Sequence, residues 1–338
     1  MLEGPVRGGP GRQRRLMVDC MIALNLLAAC ALDGLLGDPR WMPHPVRWMG
    51  TCINRCEPVL RSRFTSGWIR RIAGILLALL IPGLSFMAAW GALKLAFLVH
   101  SWFGNLLWIV LGYTTLAARD LANHAWEVYH RLCTGSLREA RQAVSLMVGR
   151  DAERLTETDI SRATIESVAE NTSDGVVAPL FYLVIGGPPL ALAYKAVNTL
   201  DSMIGHRDAS YRDVGWASAK FDDLANLIPS RMSAGLLVAS AYFRHAAVAN
   251  AWRIYRRDCS KHASPNSGHP EAAMAGALGI LLGGPTVYKG VQVNRPQIGD
   301  PANVPQPRHV PLAIELMWIS SGLAITLAVV FATLWNSL

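Results

Sequence analysis

The sequence predicts an all-α, multi-pass integral membrane protein with re-entrant or broken helices and a helical cytoplasmic segment. Three observations carry that prediction. Only 17% of the 338 residues are charged and 51% are hydrophobic, against roughly 25% charged for an ordinary soluble domain. Residues 72–99 hold one charge, Lys94, residues 101–118 hold none, and residues 311–338 hold only Glu315. Each run approaches the roughly 20 apolar residues that cross a bilayer. Finally, Gly-Gly-Pro-Pro at 186–189 interrupts the uncharged run 175–194, and at membrane depth such a break is tolerated only where protein or water satisfies the backbone.

Taken in order, residues 1–15, rich in Gly, Pro and Arg, read as a disordered tail. Residues 16–338 read as one helical membrane domain. Residues 16–36 form its first hydrophobic helix. The string LAAC at 27–30 has the form of a lipoprotein cleavage site, but Asp19 interrupts the apolar region and further apolar windows follow, so the helix is read as retained. The Pro-rich, aromatic loop GDPRWMPHPVRWMG (37–50) ends it, and Arg55, Arg61, Arg63, Arg70 and Arg71 follow. Windows 72–99 and 101–118 read as a helical hairpin across the membrane, and 119–170 as amphipathic helices on the cytoplasmic side. The 175–194 run reads as a re-entrant hairpin of two half-helices. That arrangement keeps Lys195, Arg207, Arg212, Lys220 and Arg231 on the same basic side, with 198–231 also cytoplasmic. The short windows 232–243 and 272–288, rich in small residues, read as half-spans or buried helices.

The formal net charge is +8. Its Lys and Arg lie between the apolar windows, as the positive-inside rule expects, and no nucleic-acid motif accompanies them, so no nucleic-acid partner is expected. The six cysteines show no paired metal spacing and imply no disulfide framework.

Polar residues gather in a few strings. Arg162, Glu166, Glu170 and Asp174 lie four apart, with Asn171 one position round from Glu170, and the ladder runs directly into the re-entrant segment. A solvated face stitched by an Arg–Glu pair, worth a few tenths of a kcal/mol, is the plain alternative, but charges beside hydrocarbon usually face a cavity or a partner. In AYKAVNTLDSMIG, Lys195, Asn198, Asp201 and Ser202 share a helix face; a snorkelling lysine and a helix-end Asp-Ser pair would also explain them. In KFDDLAN, Asp222, Asp223 and Asn226 put hard oxygen ligands on one helical patch, which suits Mg²⁺, although solvated helices often carry such strings. In SPNSGHPEAAMAGALG, Asn266 and Ser267 precede Glu271 at a helix start, where an anion or a simple loop cap fits equally. His44 and Arg47, near Asp38 in the 37–50 loop, form a possible anion-binding pair or a purely structural one.

No phosphate-binding GxxxxGK[ST] string, GxGxxG fingerprint, HExxH or GxSxG elbow occurs. The residues alone point to Mg²⁺-assisted chemistry on a phosphorylated or otherwise anionic substrate at one face of the bilayer.

Six longer strings resemble one family: LDGLLGDPRWMPHPVRWMG, ARQAVSLMVGRD, IESVAENTSDGVVAPLFY, AYKAVNTLDSMIGHR, GWASAKFDDLANLIPSR and SPNSGHPEAAMAGALGILLGG. In order, from about residue 32 to about residue 290, they are similar to the membrane cobinamide-phosphate synthases of cobalamin biosynthesis, the CobD/CbiB family. His206, where the family pattern suggests an aromatic, is a minor departure. The resemblance implies an ATP-dependent, Mg²⁺-requiring ligase. It would join the free carboxylate of adenosylcobyric acid to the amine of aminopropanol phosphate, or of aminopropanol.

With that activity in view, Glu166, Glu170, Asp174 and Lys195 are the catalytic candidates and Asp222, Asp223 and Asn226 the metal set, with Glu166, Glu170 and Asp174 also open as acids that could hold Mg²⁺. Asp38, His44, Arg47, Asn171, Asn198, Asp201, Ser202, Arg231, Asn266 and Glu271 become substrate- or phosphate-binding candidates. The expected setting is the inner membrane of a prokaryotic cell, with the active site facing the cytoplasm and other late cobalamin-pathway membrane enzymes as neighbours. The competing classes are another Mg²⁺-dependent membrane transferase of prenyltransferase type, and a non-catalytic membrane scaffold.

Overall fold

The structure, a computed structural model, describes residues 10–39, 41–63, 66–205, 211–244, 247–288, 290–301 and 303–334, without the side chains of 10–20 and Arg61. The expected tail at 1–9, and His206 and Arg207, lie outside the described residues. The described chain is helical almost throughout. Its helices are α1 (Pro10–Leu36), α2 (Pro45–Arg63), α3 (Gly67–Val99), α4 (Ser101–Tyr113), α5 (Ala118–Thr134), α6 (Leu137–Ser145), α7 (Glu157–Thr172) and α8 (Ala178–Ile204). They continue as α9 (Trp216–Ala225), α10 (Leu227–Phe243), α11 (Val248–Asp258), α12 (Gly268–Leu278) and α13 (His309–Leu334), with an antiparallel hairpin of β1 (Leu281–Tyr288) and β2 (Val291–Gly299) before the last helix.

Three of the described helical runs, 67–99, 157–204 and 309–334, are long and apolar enough to cross a membrane. Along α3, Leu76, Leu79, Leu80, Leu84, Met87, Leu95 and Leu98 are exposed. An exposed apolar strip of that length is foreign to a water-facing helix and natural against lipid. The protein is a multi-pass membrane protein.

The run 157–204 is not a straight span. Gly186 (φ −141°, ψ 15°) and Gly187 (φ 65°, ψ −166°) leave helical geometry ahead of Pro188 and Pro189. The second conformation is one that only glycine adopts without strain. The two arms fold back on each other: the Tyr182 ring of the first stacks on Tyr194 of the second, centroids 4.9 Å apart, and Asn198 reaches Asp174. The expected re-entrant hairpin is therefore present as a reversal of the chain. Between α7 and α8, residues Ser173–Val177 form a π-helical turn, a wider turn that recurs at functional sites.

Three expectations are corrected. Residues 10–15 lie within helix α1 and not in a tail. Helix α4 has only 13 residues, about 20 Å at 1.5 Å per residue, so the helix that turns back along α3 is shorter than the window 101–118 and than a full span. The window 272–288 is not one apolar helix. Helix α12 stops at Leu278, and the Gly-Gly-Pro that follows forms a bulged strand, the register shifting between Leu282 and Gly284. Its ladder partner lies in 291–299, beyond the apolar window, so hydropathy alone does not reveal it.

The main core forms where the buried first half of α13 (Val310, Ala313, Ile314, Met317) meets α7, α10 and α12. A second cluster joins α2 (Met49, Ile53) and α3 (Leu77, Ile81) to the second arm of α8 (Leu192, Ala196, Leu200). A third holds α5, α6 and α7 together through Val128, Val144 and Ile160. The first two clusters fix the base of the re-entrant hairpin from both sides.

Candidate functional site

The π turn and the hairpin together gather a cluster of polar side chains. The turn carries Asp174, and the reversal at Gly187 returns Lys195 and Asn198 to it. Lys195 Nζ lies 3.5 Å from the Asp174 carbonyl oxygen. Helix α9 packs alongside and adds Asp222. Asn198 Nδ2 then donates to both acids, 3.4 Å from Asp174 Oδ2 and 3.3 Å from Asp222 Oδ1. The second Asp222 oxygen accepts from Asn226 Nδ2 at 3.0 Å, and Asn226 Oδ1 accepts from the Tyr194 hydroxyl at 2.9 Å. Burial pushes Asp222 up to about 6; the amides of Asn226 and Asn198 oppose that shift, and the charges of Glu170 and Asp223 add to it.

Glu170, one turn before Asp174, accepts from Ser267 Oγ at 2.7 Å. Asn266, beside that serine, donates to the Asp223 carbonyl at 2.8 Å and accepts from Ser230. The SPNSG turn thus closes the site from the α12 side. Asp38, which meets His44 at 3.1 Å, lies within electrostatic reach of Lys195.

Other candidates are placed elsewhere. Glu166 faces away from the carboxylate pair and is buried. It accepts from Arg150, from Arg295 at 2.8 Å and from the Gly283 N–H at 2.8 Å. Gly283 needs its positive φ of 76°, and a Cβ there would meet the Pro296 carbonyl at 2.1 Å. Glu271 joins the same network, accepting from Arg295 at 3.1 Å; burial and the Glu166 charge push it up to about 8. Arg162 pairs with Asp159, not with Glu166, so the anticipated Arg–Glu stitch is absent from the described contacts.

Nor do Asp222, Asp223 and Asn226 form one ligand patch. Asp223 turns outward to Lys220 at 2.9 Å, and the Asn226 oxygen is occupied by Tyr194. The reason is geometric: adjacent residues on a helix point about 100° apart. Arg47 bonds the Pro39 and Met42 carbonyls and shapes its own loop. Asn171, Ser202 and Arg231 bond back to Ser167, Asn198 and Leu227 on their own helices. Asp201 sits near the end of α8, where its carbonyl accepts from Gly205 N–H at 2.7 Å.

The structure also adds residues that sequence reasoning missed. Arg150, His262 and Arg295 surround Glu166 and Glu271, with Arg295 Nη2 2.7 Å from His262 Nε2. Tyr194 meets the carboxylate pair through Asn226, while Tyr182 stacks on Tyr194 and bonds the Ala225 carbonyl. Tyr194 directly precedes Lys195 in AYK, and its position within an apolar run gave the one available signal.

A family model described as CobD/CbiB protein matches residues 26–317. Among curated proteins, "Cobalamin biosynthesis protein CobD" of Geobacter metallireducens is 48% identical over 309 residues, 91% of this chain and 96% of the relative. "Cobalamin biosynthesis protein CobD" of Streptococcus sanguinis is 45% identical over 92% of this chain and 98% of its own length. "Cobalamin biosynthesis protein CbiB" of Salmonella typhimurium is 44% identical over 90% and 97%. The chain belongs to the CobD/CbiB family. No solved structure matches it.

The matched region of this CobD/CbiB protein contains every polar group described above, from Asp38 to Arg295. Among its described residues, no set of three His, Cys, Asp or Glu side chains gathers around one point as metal ligands do. The donor chemistry still fits Mg²⁺, which commonly takes one or two carboxylates and fills its shell with substrate oxygens and water. Asp174 and Asp222, brought together by Asn198, are the pair that fits.

Proposed function

We propose that this CobD/CbiB-family protein acts in cobalamin biosynthesis as a membrane ligase, joining the carboxylate of adenosylcobyric acid to the amine of aminopropanol phosphate or aminopropanol. Sharing of one amide donor by Asp174 and Asp222, beside half-buried Lys195 at the mouth of the re-entrant hairpin, is the observation that carries the reading. A carboxylate is a poor acyl donor. Phosphoryl transfer from ATP to its oxygen, releasing ADP, would give an acyl phosphate; attack by the amine nitrogen on the acyl carbon would form the amide and release phosphate. Bound Mg²⁺, held by Asp174 and Asp222, would supply charge neutralisation for the phosphate oxygens.

The chain's own groups have distinct parts. Lys195 would hold an anionic oxygen of the substrate against the base of the hairpin. Glu170, oriented by Ser267, would accept the proton lost from the attacking nitrogen. The hairpin itself would limit the access of water, which hydrolyses an activated acyl group. Glu166 and Glu271 would hold α7, α12 and the β-hairpin together and touch no substrate. The basic segments on this side of the helices support a site facing the cytoplasm.

The test uses the full chain purified in detergent, incubated with adenosylcobyric acid, aminopropanol phosphate and Mg²⁺-ATP. Appearance of the amide by mass spectrometry, with ADP formed in step, is the expected result. Its absence, with the protein folded, would remove the ligase reading in favour of a scaffold.

A further inference from the structure

The Tyr194–Asn226–Asp222 chain has an internal logic that assigns a role to a residue outside the reacting groups. Tyr194 is 3% exposed and Asn226 1%, so water does not compete for their polar atoms. The phenol has a single proton and two acceptors in view, Asn226 Oδ1 at 2.9 Å and the Asp174 carbonyl at 3.4 Å. Distance directs the proton to Asn226. The backbone of Asn226 is already used at the α9–α10 junction: its N–H donates to the Asp222 carbonyl at 2.9 Å, and its carbonyl accepts from Ser230 N–H at 3.0 Å. Only its side-chain amide remains to be oriented. With Oδ1 held by the phenol, the NH₂ group faces Asp222 Oδ2. Without that donor, Asn226 Oδ1 becomes a buried acceptor with no partner, an unfavourable state that favours rotation of the amide. A rotated amide would turn its oxygen toward a carboxylate.

We propose that Tyr194 is a positioning residue, which acts through Asn226 to fix the carboxylate of Asp222 beside Asp174. The role rests on the reading of this pair as the cation-holding centre of the ligase. It needs the hydroxyl and not the ring, because the stack with Tyr182 survives in phenylalanine. Tyr182 provides a matched control. It stands in the same stack and loses an equivalent hydrogen bond when changed to phenylalanine, but its hydroxyl donates to the Ala225 carbonyl at 2.9 Å and does not touch Asn226.

The experiment compares wild type, Tyr194→Phe and Tyr182→Phe as full chains in detergent, with two readouts. Binding of Mn²⁺, as a probe for Mg²⁺, is followed by the electron paramagnetic resonance of the free ion. Steady-state amide formation gives kcat and the KM for the amine. Loss of a group that orients a metal ligand typically costs about 10- to 100-fold in affinity or activity. Tyr194→Phe is therefore expected to weaken Mn²⁺ binding and lower kcat by about tenfold or more, with KM within about twofold of wild type. Tyr182→Phe should match wild type in both readouts, while the melting temperatures of the two variants fall by similar amounts. Equal behaviour of the two variants in Mn²⁺ binding and kcat would overturn the proposal. If wild type binds Mn²⁺ but forms no amide, and Tyr194→Phe still weakens binding, the ligase reading fails and the positioning role stands. A wild type that neither binds Mn²⁺ nor forms amide would overturn both.

Discussion

Asp174 and Asp222 share one hydrogen-bond donor, the Asn198 amide nitrogen, at 3.4 and 3.3 Å. Two half-buried acids from different segments are thereby held side by side. Each would repel the other at neutral pH unless a cation or a proton intervenes.

Asn198→Ala removes the shared donor and leaves the acids to repel one another. Activity is expected to fall by about 10- to 100-fold, with the loss partly offset by raised Mg²⁺. A titration of the amide-forming rate against Mg²⁺ concentration checks this; a variant with an unchanged Mg²⁺ requirement would show that Asn198 does not organise the pair.

Arg295 bonds Glu166 at 2.8 Å and Glu271 at 3.1 Å inside the protein. Arg295→Met strands buried carboxylates, which typically costs about 3–5 kcal/mol. Measured at pH 9, where Glu271 is charged beside Arg295, adding Glu271→Gln should recover part of that stability, because the stranded charge goes with it. Chemical unfolding of the single and double variants measures the coupling.

Gly187 sits at φ 65°, ψ −166°. Gly187→Ala is expected to destabilise the hairpin by about 1–3 kcal/mol, and its new methyl would lie 3.3 Å from the Trp108 indole nitrogen. Protease sensitivity between the two arms should rise. A melting curve identical to wild type would mean that the reversal tolerates a side chain.

Asp258 and Glu271 should give opposite pH dependences of stability. Asp258 is held well below the usual carboxylate range by Arg257, Lys261 and the Gly299 N–H, against its burial. Its contribution is present above the unfolded-state pKa near 4 and is lost as pH falls. Glu271, pushed up to about 8, stabilises most below about pH 4.5 and loses that contribution as pH rises through 8. Melting temperatures across pH 3–9 check both: Asp258→Asn should lower stability at pH 7 by about 2 kcal/mol and flatten the acidic limb. Glu271→Gln should flatten the alkaline one.

Hydropathy and the Gly-Gly-Pro-Pro break in the sequence were enough to determine that this chain is a helical membrane protein with a re-entrant hairpin, because both depend on local composition and backbone chemistry. The polar strings likewise named Asp174, Lys195, Asn198 and Asp222 before their partners were visible. Only the tertiary structure decided how they combine. Four-residue spacing made Glu166, Glu170 and Asp174 look equivalent, but the β-hairpin brings Arg295 to Glu166, while Ser267 comes to Glu170 from α12 and Asp222 to Asp174 from α9. The adjacent Asp222 and Asp223 diverge because a helix turns about 100° per residue. Which neighbour a side chain meets is set by elements distant in sequence, and no window along the chain contains that information.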